Sequence, residues 1–169
     1  MKTRILTRAS LLTAAALVIF VLEAQLPPLT AIPGIKPGLS NVCTLFAMET
    51  LGPGWAFGLL LVRVGLGTLL TGQTMAFFYS LSGALLAYAV MLLLRKPLRG
   101  KTLWVRSVFG AMGHQLGQLM TALLLTRVYA ALYYLPVLLA AAIVTGAFTG
   151  LCAQLVLARL PQGAKEDSV

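Results

Sequence analysis

Long apolar runs broken by short polar joints set the rhythm of this chain. Residues 9–26 (ASLLTAAALVIFVLEAQL), 55–72 (WAFGLLLVRVGLGTLLTG) and 75–94 (MAFFYSLSGALLAYAVMLLL) each approach the roughly 20 residues that a helical bilayer crossing needs. So do residues 103–126 and 133–158. A shorter run, 38–51 (GLSNVCTLFAMETL), would rise only about 21 Å against a hydrocarbon core of about 30 Å. It must tilt, extend into the preceding loop or enter part way. GPG at 52–54 turns the chain. The pattern predicts an all-α membrane protein: a six-transmembrane-helix bundle, residues 1–169 as one domain, spans at 9–26, 38–51, 55–72, 75–94, 103–126 and 133–158, and an outer loop at 27–37.

Composition agrees. The chain is 59% hydrophobic and 10% charged, against about 25% charged for soluble domains. Its net charge of +9 does not point to nucleic acid, because the basic residues flank apolar runs. Lys2, Arg4 and Arg8, then Arg95, Lys96, Arg99, Lys101 and Arg106, then Arg159 and Lys165 fall on one side of the threading, as the positive-inside rule describes. Lys36 and Arg127 fall on the other. Both termini are therefore expected in the cytoplasm and the 27–37 loop outside. The N-terminus also has the basic start and apolar middle of a secretory signal, but VLEAQL lacks a small-x-small cleavage site, so a retained helix is expected. Cys43 and Cys152 lie in apolar runs with no metal-ligand spacing and read as small buried residues.

Small residues recur at helix-contact spacing: Ala142, Gly146 and Gly150; Gly113 and Gly117; Ser10 and Ala14. They fit packing within the bundle or against a partner subunit. Ionisable groups inside the runs are few, and each is a candidate for function because charge in hydrocarbon is costly. They are Glu23, Glu49, Arg63 and His114. Glu49 and Arg63 flank the GPG turn and are expected to form a fold-locking ion pair. His114 and Gln118 share a helical face at i, i+4 and fit either an interhelical hydrogen bond or a ligand contact.

The break PPLTAIPGIKPGLSN, residues 27–41, puts four prolines and a lysine between two apolar runs. Proline fixes φ and lowers the entropy lost on ordering, which suits a rigid lid over a site mouth. Lys36, Asn41, Gln73, Gln118, Tyr133 and Tyr134 all fall toward the predicted outer side, with His114 deeper. Together they make up the expected small-molecule pocket. The tyrosines fit interfacial anchors equally well.

IPGIKPGLSNVCTLFAMETLGPGWAFGLLLVRVGLGTLLTG, with YSLSGALLAYAVMLLLRK, GAMGHQLGQLMTA and YYLPVLLAAAIVTGAFTG, resembles the small membrane family of Gx transporter proteins, also called heptaprenyl diphosphate synthase component I. The resemblance covers roughly residues 10 to 158, and GIKPGLSN is its most specific part, with Pro37 where the family commonly carries Leu. That family is similar to the substrate-binding S components of energy-coupling-factor vitamin transporters. The resemblance implies a protein of the bacterial cytoplasmic membrane with six helices, and a ligand site toward the outside under the loop after the first helix. It also implies partners: a membrane coupling subunit and two cytoplasmic ATPases.

The chain has no G-x-x-x-x-G-K-[ST] loop and so does not hydrolyse ATP itself. Prenyl-chain elongation needs clustered carboxylates to hold Mg²⁺ on a diphosphate. The only adjacent acidic pair is Glu166-Asp167, in a polar tail. A non-enzymatic role without metal or cofactor is expected: substrate capture for uptake or, alternatively, a membrane partner of a prenyl diphosphate synthase or of quinone or redox assembly machinery.

Overall fold

The computed structural model describes residues 2–26, 35–98 and 102–159. The predicted lid is therefore within view only at residues 35–37. Residues 27–34, and with them three of its prolines, lie outside the described residues, as do Arg99, Lys101, Lys165 and Glu166-Asp167.

The described chain is helical: α1 (Lys2–Gln25), α2 (Asn41–Thr50), α3 (Pro53–Thr71), α4 (Thr74–Leu93), α5 (Leu103–Thr126), a short 3-10 helix (Tyr129–Tyr134) and α6 (Leu135–Arg159). Four stretches are long and apolar enough to cross a bilayer: Thr3–Gln25, Pro53–Thr71, Thr74–Leu93 and Tyr129–Arg159. The other two helices differ from that pattern for separate reasons. At 10 residues, α2 rises only about 15 Å, half a hydrocarbon core. Gly52 (φ 92°) and Pro53 at the first position of α3 stop it early. At 24 residues α5 has the length, but Arg106, Ser107, His114, Gln115 and Gln118 are buried on it. It is the polar axis of the bundle.

The helices are inside out relative to a soluble bundle. Leu69, Leu93, Leu124 and Val144 are exposed while charged and amide side chains are buried, the arrangement that lipid as solvent favours. α5 packs most extensively on α4 and α6. Glycines make that approach possible. A Cβ on Gly117 would come within 2.7 Å of the Ser82 carbonyl oxygen in α4, and one on Gly150 within 2.6 Å of Trp104 Cα. Ser82 Oγ donates to Gly117 O at 3.0 Å, and Ser107 Oγ and Thr149 Oγ1 bond at 3.2 Å. The stripes through Gly113–Gly117 and Ala142–Gly146–Gly150 thus serve packing within the chain.

Two expectations are corrected. Ser10 and Ala14 are exposed; the face that α1 packs inward is Ala9, Ala16, Phe20 and Glu23, one stripe at helical spacing. Cys43 is buried, but Cys152 is exposed on α6.

The antiparallel helices give the bundle two unlike ends. One gathers the end of α1, residues 35–41, the end of α5 and the 3-10 helix. The other gathers the start of α1, the ends of α2, α4 and α6 and the start of α5, and with them Arg4, Arg8, Arg95, Lys96, Arg106 and Arg159.

Candidate functional site

Ile35 to Ser40 carries no helix of its own and lies buried, so its backbone must find partners from elsewhere. Side chains of α1 and α5 supply them. Glu23, at the end of the inward stripe of α1, accepts from Leu39 N (2.6 Å, Oε1) and Ser40 N (3.2 Å, Oε2). A carboxylate facing the start of α2 is also favoured by the helix dipole. Ser40 does not cap α2 with its own side chain. Its hydroxyl instead accepts from Arg63 Nη1 at 2.8 Å, while Arg63 Nη2 donates to Asn41 Oδ1 at 3.1 Å.

Two glutamines of α5 hold Lys36 by its backbone. Lys36 N donates to Gln118 Oε1 at 3.0 Å, and Gln115 Nε2 donates to Lys36 O at 3.2 Å. The first bond orients the Gln118 amide, so its Nε2 is the donor to His114 Nε2 at 2.8 Å. His114 Nε2 must then be the acceptor, which places the ring proton of neutral His114 on Nδ1. Gly38, at φ 82°, lies against that ring: a Cβ there would meet His114 Cδ2 at 2.6 Å. Only glycine fits the strap at this point, for backbone and for space.

The Lys36 side chain lies over Phe20, Nζ 3.9 Å from the ring centroid, a cation–π contact. Glu23 and Arg63 are its charged neighbours. Two cations and one carboxylate therefore share one enclosed space. Arg63 is 1% exposed, Lys36 5% and Glu23 4%.

Of the residues expected to line a pocket, Lys36, Asn41, His114 and Gln118 come together. Gln73 does not: it is exposed at the start of α4. Tyr133 does not either, at 87% exposure. Tyr134 is half-buried beside the strap, against the cluster of Ile35, Tyr79 and Leu119. The Glu49–Arg63 pair is also corrected. Glu49 Oε1 binds Arg106 Nη2 at 2.6 Å and approaches Arg95 Nε at 3.8 Å. Adjacency across the GPG turn suggested the wrong arginine, because Arg63 lies toward the strap end of α3 and Glu49 in the last turn of α2.

Ser40, Gln115, Phe20 and the clamping role of Glu23 were missed. Reasoning from a single helix face paired His114 with Gln118 and left Gln115 aside. Because α5 is buried on all but a stripe through Phe109, Leu116, Met120 and Leu124, Gln115 and Gln118 both reach the strap; the density of polar residues in GHQLGQ was the available signal. A separate open apolar groove of about 520 Å³, lined by Val62, Gly65, Leu66, Thr68, Leu69 and Phe77, lies between α3 and α4 and holds none of these groups.

An all-helical protein with apolar outer faces and a buried, charged, strap-covered centre belongs to the class of membrane-embedded helical proteins. The chain belongs, more particularly, to the heptaprenyl diphosphate synthase component I family, whose profile matches residues 12–156. Comparison with curated proteins and with solved structures returns no match.

Proposed function

We propose that this protein is the substrate-capture subunit of a small-molecule uptake system. Its substrate would be a vitamin, a cofactor or a quinone- or isoprenoid-related precursor, and its energy would come from a membrane coupling subunit and cytoplasmic ATPases. In this reading the chain crosses the bacterial cytoplasmic membrane six times, α2 together with the strap making the second crossing. Both termini face the cytoplasm and the strap faces outward. The collection of basic side chains at the Glu49 end supports that orientation.

The observation that carries the reading is the enclosed centre itself. Arg63, Lys36, Glu23 and the amides of Asn41, Gln115 and Gln118 are buried together in a bundle whose outer faces are apolar. Helix packing alone does not call for charge at such a depth. They are gripped around a non-helical segment that can leave without unfolding any helix. Gln73 and Tyr133 are not part of this site; Lys36, Asn41, His114 and Gln118 remain its proposed ligand contacts, with Tyr134 at its rim.

The test is reconstitution of the chain alone, followed by a search for a co-purified small molecule and for saturable binding across a panel of vitamins and quinone precursors. Retention of one compound is expected. A site found empty, with no thermal shift from any member, would overturn the proposal.

Family membership favours a second reading, a membrane component that works beside a heptaprenyl diphosphate synthase subunit or in quinone or redox assembly. The described carboxylates are both engaged, Glu23 on the strap and Glu49 on Arg106, so catalysis would rest with the partner. Prenyl transfer by such a subunit, assayed with and without this chain, separates the two readings. So does mild-detergent pull-down: ATPases favour transport, and redox or prenyl-transfer proteins favour the second reading.

A further inference from the structure

The hydrogen-bond inventory of the strap site does not balance. Among the described residues around the strap, Lys36 Nζ, Arg63 Nε and Asn41 Nδ2 are buried nitrogen donors with no acceptor, with His114 Nδ1 beside them; Arg106 Nε and Nη1 also lack one, but at the far end of α2. Lys36, Arg63 and Asn41 are each more than nine-tenths buried. Gln115 Oε1 is the matching unpartnered amide acceptor, and the Thr44 and Ser80 hydroxyls also lack partners. The donors converge. Asn41 Nδ2 and the His114 ring both border Gly38, and Arg63 holds the same Asn41 by its oxygen. Phe20, on which Lys36 rests, packs on Gly67, one turn along α3 from Arg63. Charge is unbalanced in the same direction: Lys36 and Arg63 are cations, Glu23 is the one carboxylate, and both its oxygens are taken by the strap backbone. In a low-dielectric interior an unpaired donor costs about 1–3 kcal/mol, and more if charged. A surplus of this kind marks a place for an acceptor.

We infer that the compound captured at this site is a small organic anion, with a carboxylate or phosphate seated between Lys36, Arg63 and Asn41. This rests on the capture reading above and deepens it. The apolar and aromatic cluster of Ile35, Tyr79, Leu119 and Tyr134 adjoins Lys36 and suits an apolar body on the anion. Binding takes Lys36 off the Phe20 face and gives it a true counter-ion, while the strap parts from Gln115 and Gln118 to admit the ligand. The Glu23 clamp on Leu39 and Ser40 keeps the hinge at α2 attached throughout. No covalent step is involved.

The experiment uses the full chain in lipid nanodiscs and two matched probe pairs, benzoate with benzamide and phenyl phosphate with phenol, read by thermal shift and titration. A second arm extracts and identifies any small molecule carried through purification. The expected result is saturable binding of at least one anion and at least tenfold weaker binding of its neutral partner; which anion binds distinguishes carboxylate from phosphate. Arg63→Gln also removes the hold on Ser40 and Asn41, so two gentler variants carry the test. Lys36→Gln removes a side chain that makes no hydrogen bond. Asn41→Asp keeps the acceptor for Arg63 and supplies a built-in anion. Both should lower anion affinity at least tenfold, and Asn41→Asp should also raise the melting temperature, a combination that a purely structural role for Asn41 does not produce. Equal binding of neutral and anionic partners, or a cationic or neutral co-purified compound, overturns the anion assignment and leaves capture standing. No binding and no carried compound overturns both.

Discussion

The two ends of α2 handle buried charge in opposite ways. At its last turn, Glu49 answers the fully buried Arg106 directly and shares Arg95, with Glu49 and Arg95 side chains still 26% and 31% exposed. That end is a partly exposed ion-pair cluster joining α2, the end of α4 and α5. At its first turn, Glu23 spends its carboxylate on backbone N–H groups, Arg63 holds a hydroxyl and an amide, and neither Arg63 nor Lys36 has a carboxylate of its own. Unpartnered donors occur at both ends, Arg106 Nε and Nη1 included; the counter-ion is what differs. The first arrangement locks helices together; the second holds a removable segment and leaves two cations short of a carboxylate. Buried charge alone does not distinguish structure from function. The identity of its partner does.

The largest expected effect strikes the closed end. Glu49→Ala should cost about 3–5 kcal/mol, because Arg106 is left buried without its counter-ion. Adding Arg106→Met should return most of that loss, since an apolar replacement of a whole buried pair is often neutral. Denaturant unfolding in detergent checks both steps. At the strap end Gly38→Ala should cost about 3 kcal/mol, combining a left-handed backbone with a clash on His114. Its thermal midpoint should fall, and no single change at His114 to another large side chain should rescue it.

Glu23→Gln should cost about 2 kcal/mol: one carboxylate oxygen becomes an NH₂ facing a backbone donor. Unlike the Glu49 case, removing a nearby cation with Lys36→Met should not restore it, because the lost partner is backbone. If Lys36→Met does restore it, the contrast between the two ends is wrong.

Much of this was legible from hydrophobic runs, because lipid solvation and helix length act on stretches of about 20 residues regardless of their neighbours. Four apolar crossings, the short run after the first break and the glycine stripes on α5 and α6 follow from such local rules. Pairing does not. Glu49 chose Arg106, which lies 57 positions away, over an arginine across the adjacent turn, and Lys36 met its glutamines from α5 about 80 positions on. Gln73 and Tyr133 share the strap's depth on a linear map yet point away from it.

Residue order settled that the chain is helical, that its surfaces are apolar and that its few charges must gather somewhere out of lipid. Which charge meets which backbone group was settled by the way α5 threads between α4 and α6 and by α2 stopping at half length. A buried donor can be satisfied by any acceptor that the folded chain carries to within about 3 Å, and that nearness is a property of three-dimensional packing, invisible along the strand of letters.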